Sequence, residues 1–241
     1  MSVVRTLRSV PHMLGFVKAF LAVVKRPGAD NVLAMERHGT ALASPDDTAR
    51  YIAALEADAP TQALLKDRWT PPRLTLEDLL AYPQGTLGRA YGEHLQTWGL
   101  EVEFFPDIDT SRPDEFVRAR LYQIHDIIHA LTDYDATDAG EMGLIGFYQA
   151  QYLLHHDQGG LMAASFMGIL ASAVLLHGSV INDQQLRPFI DNFVEGYQRG
   201  RASKCLIGPR WEEQLGRQLE EIRAEFRIPA RHAIRREVAH A

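Results

Sequence analysis

The sequence predicts an all-α protein: a single-domain helical bundle with a buried apolar central helix. Three observations predict it. Apolar residues recur at steps of three and four over most of the 241 residues. Helix start signals punctuate that pattern. No alternating apolar–polar run is long enough to found a sheet, the best being Glu101 to Phe105.

The bulk numbers agree. With 46% hydrophobic and 23% charged residues the composition is that of a soluble globular protein, and this length can bury one sizeable core without dividing. A net charge of -6 argues against a general nucleic-acid binder, which needs a basic surface to displace counterions. The single cysteine, Cys205, excludes an internal disulfide framework and cysteine-rich zinc modules, and fits a reducing compartment. Histidine is plentiful at 10 residues, so any metal must be held by nitrogen and oxygen.

Residues 1–26 form the first segment. Arg5, Arg8, Lys18, Lys25 and Arg26 stand there without an acid. Val3, Leu7, Val10, Leu14, Val17, Leu21 and Val24 define one helix face. Lys18 interrupts the apolar run and no small-x-small site follows, against a signal peptide; nor is the ~20-residue apolar run of a membrane span reached. Two readings stand: an ordinary core helix, or a basic amphipathic helix resting on anionic lipid. Pro11 would break or start a helix and blurs both.

The main domain, residues 27–228, opens with a loop-rich stretch near 27–44. Ser44-Pro45-Asp46-Asp47 supplies an N-cap and a proline at the first helical position, opening a helix over 45–57. A second loop-rich stretch follows near 58–74. Thr75-Leu76-Glu77-Asp78 starts a helix, and the turn Tyr82-Pro83-Gln84-Gly85-Thr86 hands the chain to another. Ser111 to Asp114 starts the helix carrying His125 and His129, and Asp138 starts the next. Helices follow at about 161–177, 183–200 and 209–226, before a basic tail at 229–241. Leu161 to Leu176 is apolar apart from two serines, so it should be a core helix buried all round. Ala164, Gly168 and Ser172 would let a second backbone approach closely. The same helix could wall an apolar tunnel, with Phe147, Phe166 and Met167 contributing.

The chemistry concentrates in HDIIHALTDYDATDAGE, residues 125–141. Residues four apart on a helix share a face, so His125 and His129 can reach one metal. Asp126 lies about 100° round and can lean toward it or hold a water as a base. Glu141 opens the next helix, and the intervening loop can fold back to bring it beside the imidazoles. Two imidazoles and one or two carboxylates leave a coordination position open, as in catalytic sites. The bland readings remain: a structural histidine pair, Glu141 in a capping box with Asp138, and Asp133 and Asp135 as solvated loop acids. Arg118, Arg120 and Tyr122 lie upstream on the same helix, and either arginine could meet an anionic substrate group. His155-His156-Asp157 reads as helix capping.

These residues resemble the fourth coenzyme Q (ubiquinone) biosynthesis protein family, whose signature is His-Asp-x-x-His, eleven residues, then Glu. Tyr82-Pro-Gln-Gly-Thr-Leu-Gly-Arg-Ala-Tyr91 resembles the family's Pro-x-Gly-Thr-x-Gly-x-x-Tyr segment. Arg120, Gln151, Lys204-Cys-Leu-Ile207 and Trp211-Glu212 also stand in matching places, over roughly residues 70 to 228. The uncharged Met142 to Gln149 stretch is closer to a bacterial pattern, and no obvious mitochondrial presequence precedes it.

The resemblance implies an all-α fold and a divalent metal, usually taken as zinc, with His125, Asp126, His129 and Glu141 as ligands. Two histidines and a carboxylate also suit iron(II), and with an open position on the metal Asp126 or Glu141 could alternate between ligand and proton acceptor. The resemblance further implies an apolar pocket for a polyprenyl tail, self-association as a dimer or larger oligomer, and work beside other ubiquinone-biosynthesis proteins. Peripheral attachment to the cytoplasmic inner face of the membrane is expected. The activity implied is oxidative decarboxylation of a polyprenylated 4-hydroxybenzoate. The alternatives are a non-catalytic lipid-binding scaffold and, from the His125-Asp126 dyad with His94 upstream, an HD-type phosphohydrolase.

Overall fold

The computed structural model describes residues 3–102, 109–181 and 183–231. It is all-helical, and among the described residues it holds no strand, only one isolated bridge between Thr86 and Gln218. In chain order the helices are α1 (Val3–Lys25), α2 (Ala29–Leu42), α3 (Pro45–Ala57), α4 (Ala59–Asp67), α5 (Leu76–Leu80) and α6 (Leu87–Trp98). They continue as α7 (Pro113–Thr132), α8 (Asp138–His155), α9 (Asp157–Ile181), α10 (Asp183–Ala202) and α11 (Leu219–Glu225). A 3₁₀ turn at Trp211–Gln214 precedes α11. Part of the Glu101–Phe105 stretch and most of the expected tail lie outside the described residues.

The start signals act as their chemistry requires. Ser44 Oγ accepts the Asp47 amide with Pro45 in the first turn, Thr75 and Asp78 form a reciprocal capping box, and Thr86 Oγ1 accepts the Arg89 amide. Gly85, at φ +81°, makes the turn before Thr86 that a side chain would strain. That turn docks on the C-terminal segment: Leu219 donates to the Gly85 carbonyl, and Leu87 to that of Arg217.

Four expectations are corrected. The stretches near 27–44 and 58–74 are largely helical, as α2 and α4; Asp58 Oδ2 caps α4 through Thr61, a start signal like Ser44. Helix α1 runs through Pro11 unbroken. The segment 209–226 divides into the 3₁₀ turn and the short α11. Helix α9 is longer than expected and is not buried all round: Leu161, Ile169, Leu176 and Val180 face outward, the last 79% exposed. By length and composition alone, its Gly159–Val180 segment could cross a membrane.

Two apolar clusters fill the interior. The larger joins Leu55, Leu64, Leu79, Leu87, Leu95, Ile124, Ile128 and Trp211; the smaller joins Ala19, Val23, Met35, Met142, Leu170 and Phe189. Helix α8 lies between α9 and α10 and supplies residues to both clusters. Close backbone approach occurs at the α8–α10 crossing rather than along Ala164, Gly168 and Ser172, the last of which is exposed. A β-carbon on Gly196 would stand 1.9 Å from the Gly143 carbonyl oxygen, and one on Gly146 2.2 Å from that of Phe193. Only glycine fits there.

Candidate metal-binding site

The site grows from the way α7 ends. Asp133 adopts the left-handed conformation at φ +59°, tolerable for aspartate, and turns the chain back over the last turn of α7. Tyr134 follows, its ring buried beneath the guanidinium groups of Arg199 and Arg231 at 4.9 and 5.2 Å. Its carbonyl oxygen meets His129 Nδ1 at 2.9 Å. Since a carbonyl can only accept, Nδ1 carries a proton there, which leaves Nε2 as the nitrogen turned to the site.

Asp135 is not an idle loop acid. It accepts from the amide and hydroxyl of Thr137, and Thr137 Oγ1 in turn accepts the Gly140 amide at 3.1 Å. Thr137, not Asp138, therefore caps α8, which releases the Glu141 side chain from the expected capping box. Glu141 turns to the histidines. Its Oε1 lies 3.1 Å from His129 Nε2 and its Oε2 3.7 Å from His125 Nε2. The two Nε2 atoms are 3.2 Å apart, with rings edge-on at 81°.

Asp126 completes the group. Among the described residues, His125, Asp126 and His129 bring one ligand atom each within 4.8 Å of one another. His129 is fully buried, whereas the side chains of His125 and Glu141 are 39% and 35% exposed, so one side of the group opens to solvent.

Electrostatics bind the cluster together. Burial alone would raise the Glu141 pKa, but the two imidazoles override it and hold the carboxyl well below its ordinary range. Burial lowers His125, yet Glu141 and Asp126 leave it raised on balance. With His125 Nε2 at 3.2 Å and Glu141 Oε1 at 3.1 Å from His129 Nε2, these lone pairs repel unless a proton or a cation sits among them. The donor set of two imidazoles and two carboxylates fits a divalent ion of the zinc or iron(II) kind, with room for a further ligand on the open side.

Other expected site residues are placed elsewhere. Arg118 pairs with Glu115. Arg120, 1% exposed, makes a bidentate pair with Glu212 at 2.5 Å and stacks over Trp69. Both guanidinium groups are thus committed to protein partners. Tyr122 is half-buried on α7; Phe147 is fully buried in the larger cluster, while Phe166 and Met167 pack where α9 meets the two clusters. His155 and His156 do lie at a helix end, with His156 Nε2 4.0 Å from Cys205 Sγ. Sequence reasoning undervalued His94. It stands on α6 with its ring stacked on His129 at 5.0 Å and its Nε2 3.8 Å from Asp126 Oδ1. The signal was its place three residues after Tyr91, on the face of α6 that Leu87, Tyr91 and Leu95 bury.

Fold and site define an all-helical protein in which two consecutive helices set two carboxylates against one pair of imidazoles. The chain belongs to the coenzyme Q (ubiquinone) biosynthesis protein Coq4 family, whose profile matches residues 5–231. It is 30% identical over 199 residues to a mitochondrial ubiquinone biosynthesis protein of Talaromyces stipitatus, covering 80% of this chain and 64% of the relative. A Botryotinia fuckeliana counterpart is 28% identical over 197 residues, covering 79% and 65%. This chain thus spans just under two thirds of these fungal relatives. In a solved structure from Nostoc punctiforme, provisionally assigned to ubiquinone biosynthesis, the fold recurs with a TM-score of 0.71 at 23% identity, over 91% of this chain and 97% of that one.

Proposed function

We propose that this chain is a metal-dependent enzyme of ubiquinone biosynthesis that replaces the ring carboxyl of a polyprenylated 4-hydroxybenzoate with a hydroxyl. The observation that carries the reading is the approach of His125 Nε2 at 3.2 Å and Glu141 Oε1 at 3.1 Å to His129 Nε2, with Asp126 within 4.8 Å of both histidines. His125, Asp126, His129 and Glu141 would hold the ion. A bound divalent ion supplies Lewis acidity, drawing charge from the ring carboxylate or adjacent phenolate as the carbon–carboxyl bond breaks.

The protein's own share is positional. The Tyr134 carbonyl fixes the His129 tautomer, and the Arg120–Glu212 pair braces α7 against the C-terminal segment. Glu141 and Asp126, each with a partly exposed carboxylate, take or return protons on the open side. The exchange removes two electrons from the substrate: carbon dioxide leaves and an oxygen atom enters. Zinc would not accept those electrons, so dioxygen is the oxidant class the reaction requires: it takes up the two electrons and two protons as hydrogen peroxide while water supplies the entering oxygen.

The substrate's tail suits a membrane surface, and the exterior supports that placement. On α1, Val10, Met13, Leu14, Val17 and Leu21 are exposed and Lys18, Lys25 and Arg26 flank them. On the outer face of α9 the hydroxyls of Ser165 and Ser172 are spent on carbonyls of their own helix. These faces support attachment to the inner side of an anionic membrane.

The test is metal analysis of purified wild-type protein beside His129→Ala, with turnover of a prenylated 4-hydroxybenzoate followed under air. About one equivalent of metal and release of the ring carboxyl as carbon dioxide are expected for wild type, and neither for the variant. The exposed apolar faces also favour a scaffold that presents prenylated intermediates to partner enzymes; under that reading His125→Ala keeps lipid binding and pathway flux. The nearness of His94 to Asp126 favours a phosphohydrolase, which nucleotide hydrolysis with added manganese would reveal.

A further inference from the structure

We propose that His94 is a positioning residue: from α6 it donates its Nε2–H to Asp126 Oδ1 and fixes the carboxylate for the ion. The inference rests on the metal-site reading above. Three observations carry it. The His94 side chain is only 9% exposed and its Nε2 stands 3.8 Å from Asp126 Oδ1. That Nε2 is buried without any hydrogen-bond partner, where buried polar atoms are nearly always paired. Its ring lies nearly parallel to that of His129, 16° apart at 5.0 Å.

The stacking decides between two roles. An imidazole binds an ion along a lone pair lying in the ring plane. Two rings stacked face to face have separate planes, so an ion in the plane of His129 lies outside that of His94. His94 is therefore no ligand of the same ion. Toward Asp126 the geometry is open: shortening 3.8 Å to the ~2.9 Å of a hydrogen bond takes under ~1 Å of movement, within reach of a carboxylate reorienting toward a cation. One Asp126 oxygen would then face the ion while the other accepts from His94, the usual division for a ligating carboxylate. α6 thereby becomes a third wall of a site otherwise built by α7 and α8. The docked turn at Gly85–Thr86 and the buried Leu87, Tyr91 and Leu95 hold α6 in place.

The experiment titrates Zn²⁺ against a chromophoric chelator and records cobalt(II) spectra for wild type, His94→Phe, His94→Asn and His94→Gln. Phenylalanine keeps the stacking but has no donor, the shorter asparagine falls short of Asp126, and glutamine places an amide N–H near the original Nε2. Affinity should fall about 10–100-fold in His94→Phe and His94→Asn, with the stoichiometry and cobalt band shape of wild type, and return to within a few-fold in His94→Gln. In an Asp126→Ala background, His94→Phe should cost nothing further. Wild-type affinity in both donor-lacking variants, or a cobalt spectrum showing a lost imidazole, overturns the proposal while leaving the metal site standing. A wild-type protein that binds no metal overturns both.

Discussion

Two regions of this molecule treat solvent in opposite ways. Between α7 and α8, ionisable groups are packed close around the buried His129, held by a carbonyl, a cap and a buried ion pair. Along the outer faces of α1 and α9, apolar side chains stand in water. Burying charge and exposing hydrocarbon are both unfavourable in an isolated soluble fold. An interior of convergent donors points to a ligand inside, and an uncovered apolar face to something outside. The first region should be intolerant of change and the second tolerant, and that contrast can be broken experimentally.

The largest effect is expected from Glu212→Ala, which leaves the Arg120 guanidinium buried without its carboxylate. Stability should drop by about 3–5 kcal/mol, read from denaturant midpoints. Next is Gly196→Ala at the α8–α10 crossing, where a methyl group meets the Gly143 carbonyl. A loss of up to about 3 kcal/mol is expected, with metal affinity falling too because α8 carries Glu141. An unchanged melting temperature would mean that the two helices are not in close contact.

A smaller effect concerns Glu36 on α2, half-buried near Arg118 and Glu115. Burial pushes its carboxyl up to about 7 from 4.5, with Arg118 opposing and Glu115 adding to the rise. The folded chain thus holds this proton more tightly than the unfolded one. The associated stability is complete below about 4.5 and is lost as pH rises toward 7. Glu36→Gln should flatten that decline; equal slopes for both proteins would refute it. The smallest change in stability is expected on the outer face, where Leu14→Glu with Val17→Glu should stay within about 0.5 kcal/mol per substitution. The same pair should abolish flotation with anionic vesicles, and retained flotation would remove the membrane from the account of α1.

The site was legible in sequence where one helix sufficed. His125 and His129 are four apart, so the α-helical period alone puts them on one face. Glu141 needed a loop to fold back, and the turn chemistry of Asp133, Asp135 and Thr137 decides that locally, although Asp138 looked like the cap. His94 was obscure because α6 lies some thirty residues upstream on the chain and no periodic rule says which helix will pack against α7. Arg120 misled for the same reason: its partner Glu212 is 92 positions away, and an unpaired arginine in sequence reads as available charge.

Local periodicity and capping, which act over a few residues, therefore determined the helices, their starts at Ser44, Thr75 and Thr86, and the paired histidines. Only the tertiary structure decided which side of each apolar helix faces inward. The stripe Val10, Leu14, Val17 and Leu21 has the spacing of a core face, yet among the described residues of α1 it is Ala19 and Val23 that are buried. Helical period fixes that a face exists. What covers it depends on where the other helices come to rest, and that is set by packing among residues far apart in the chain.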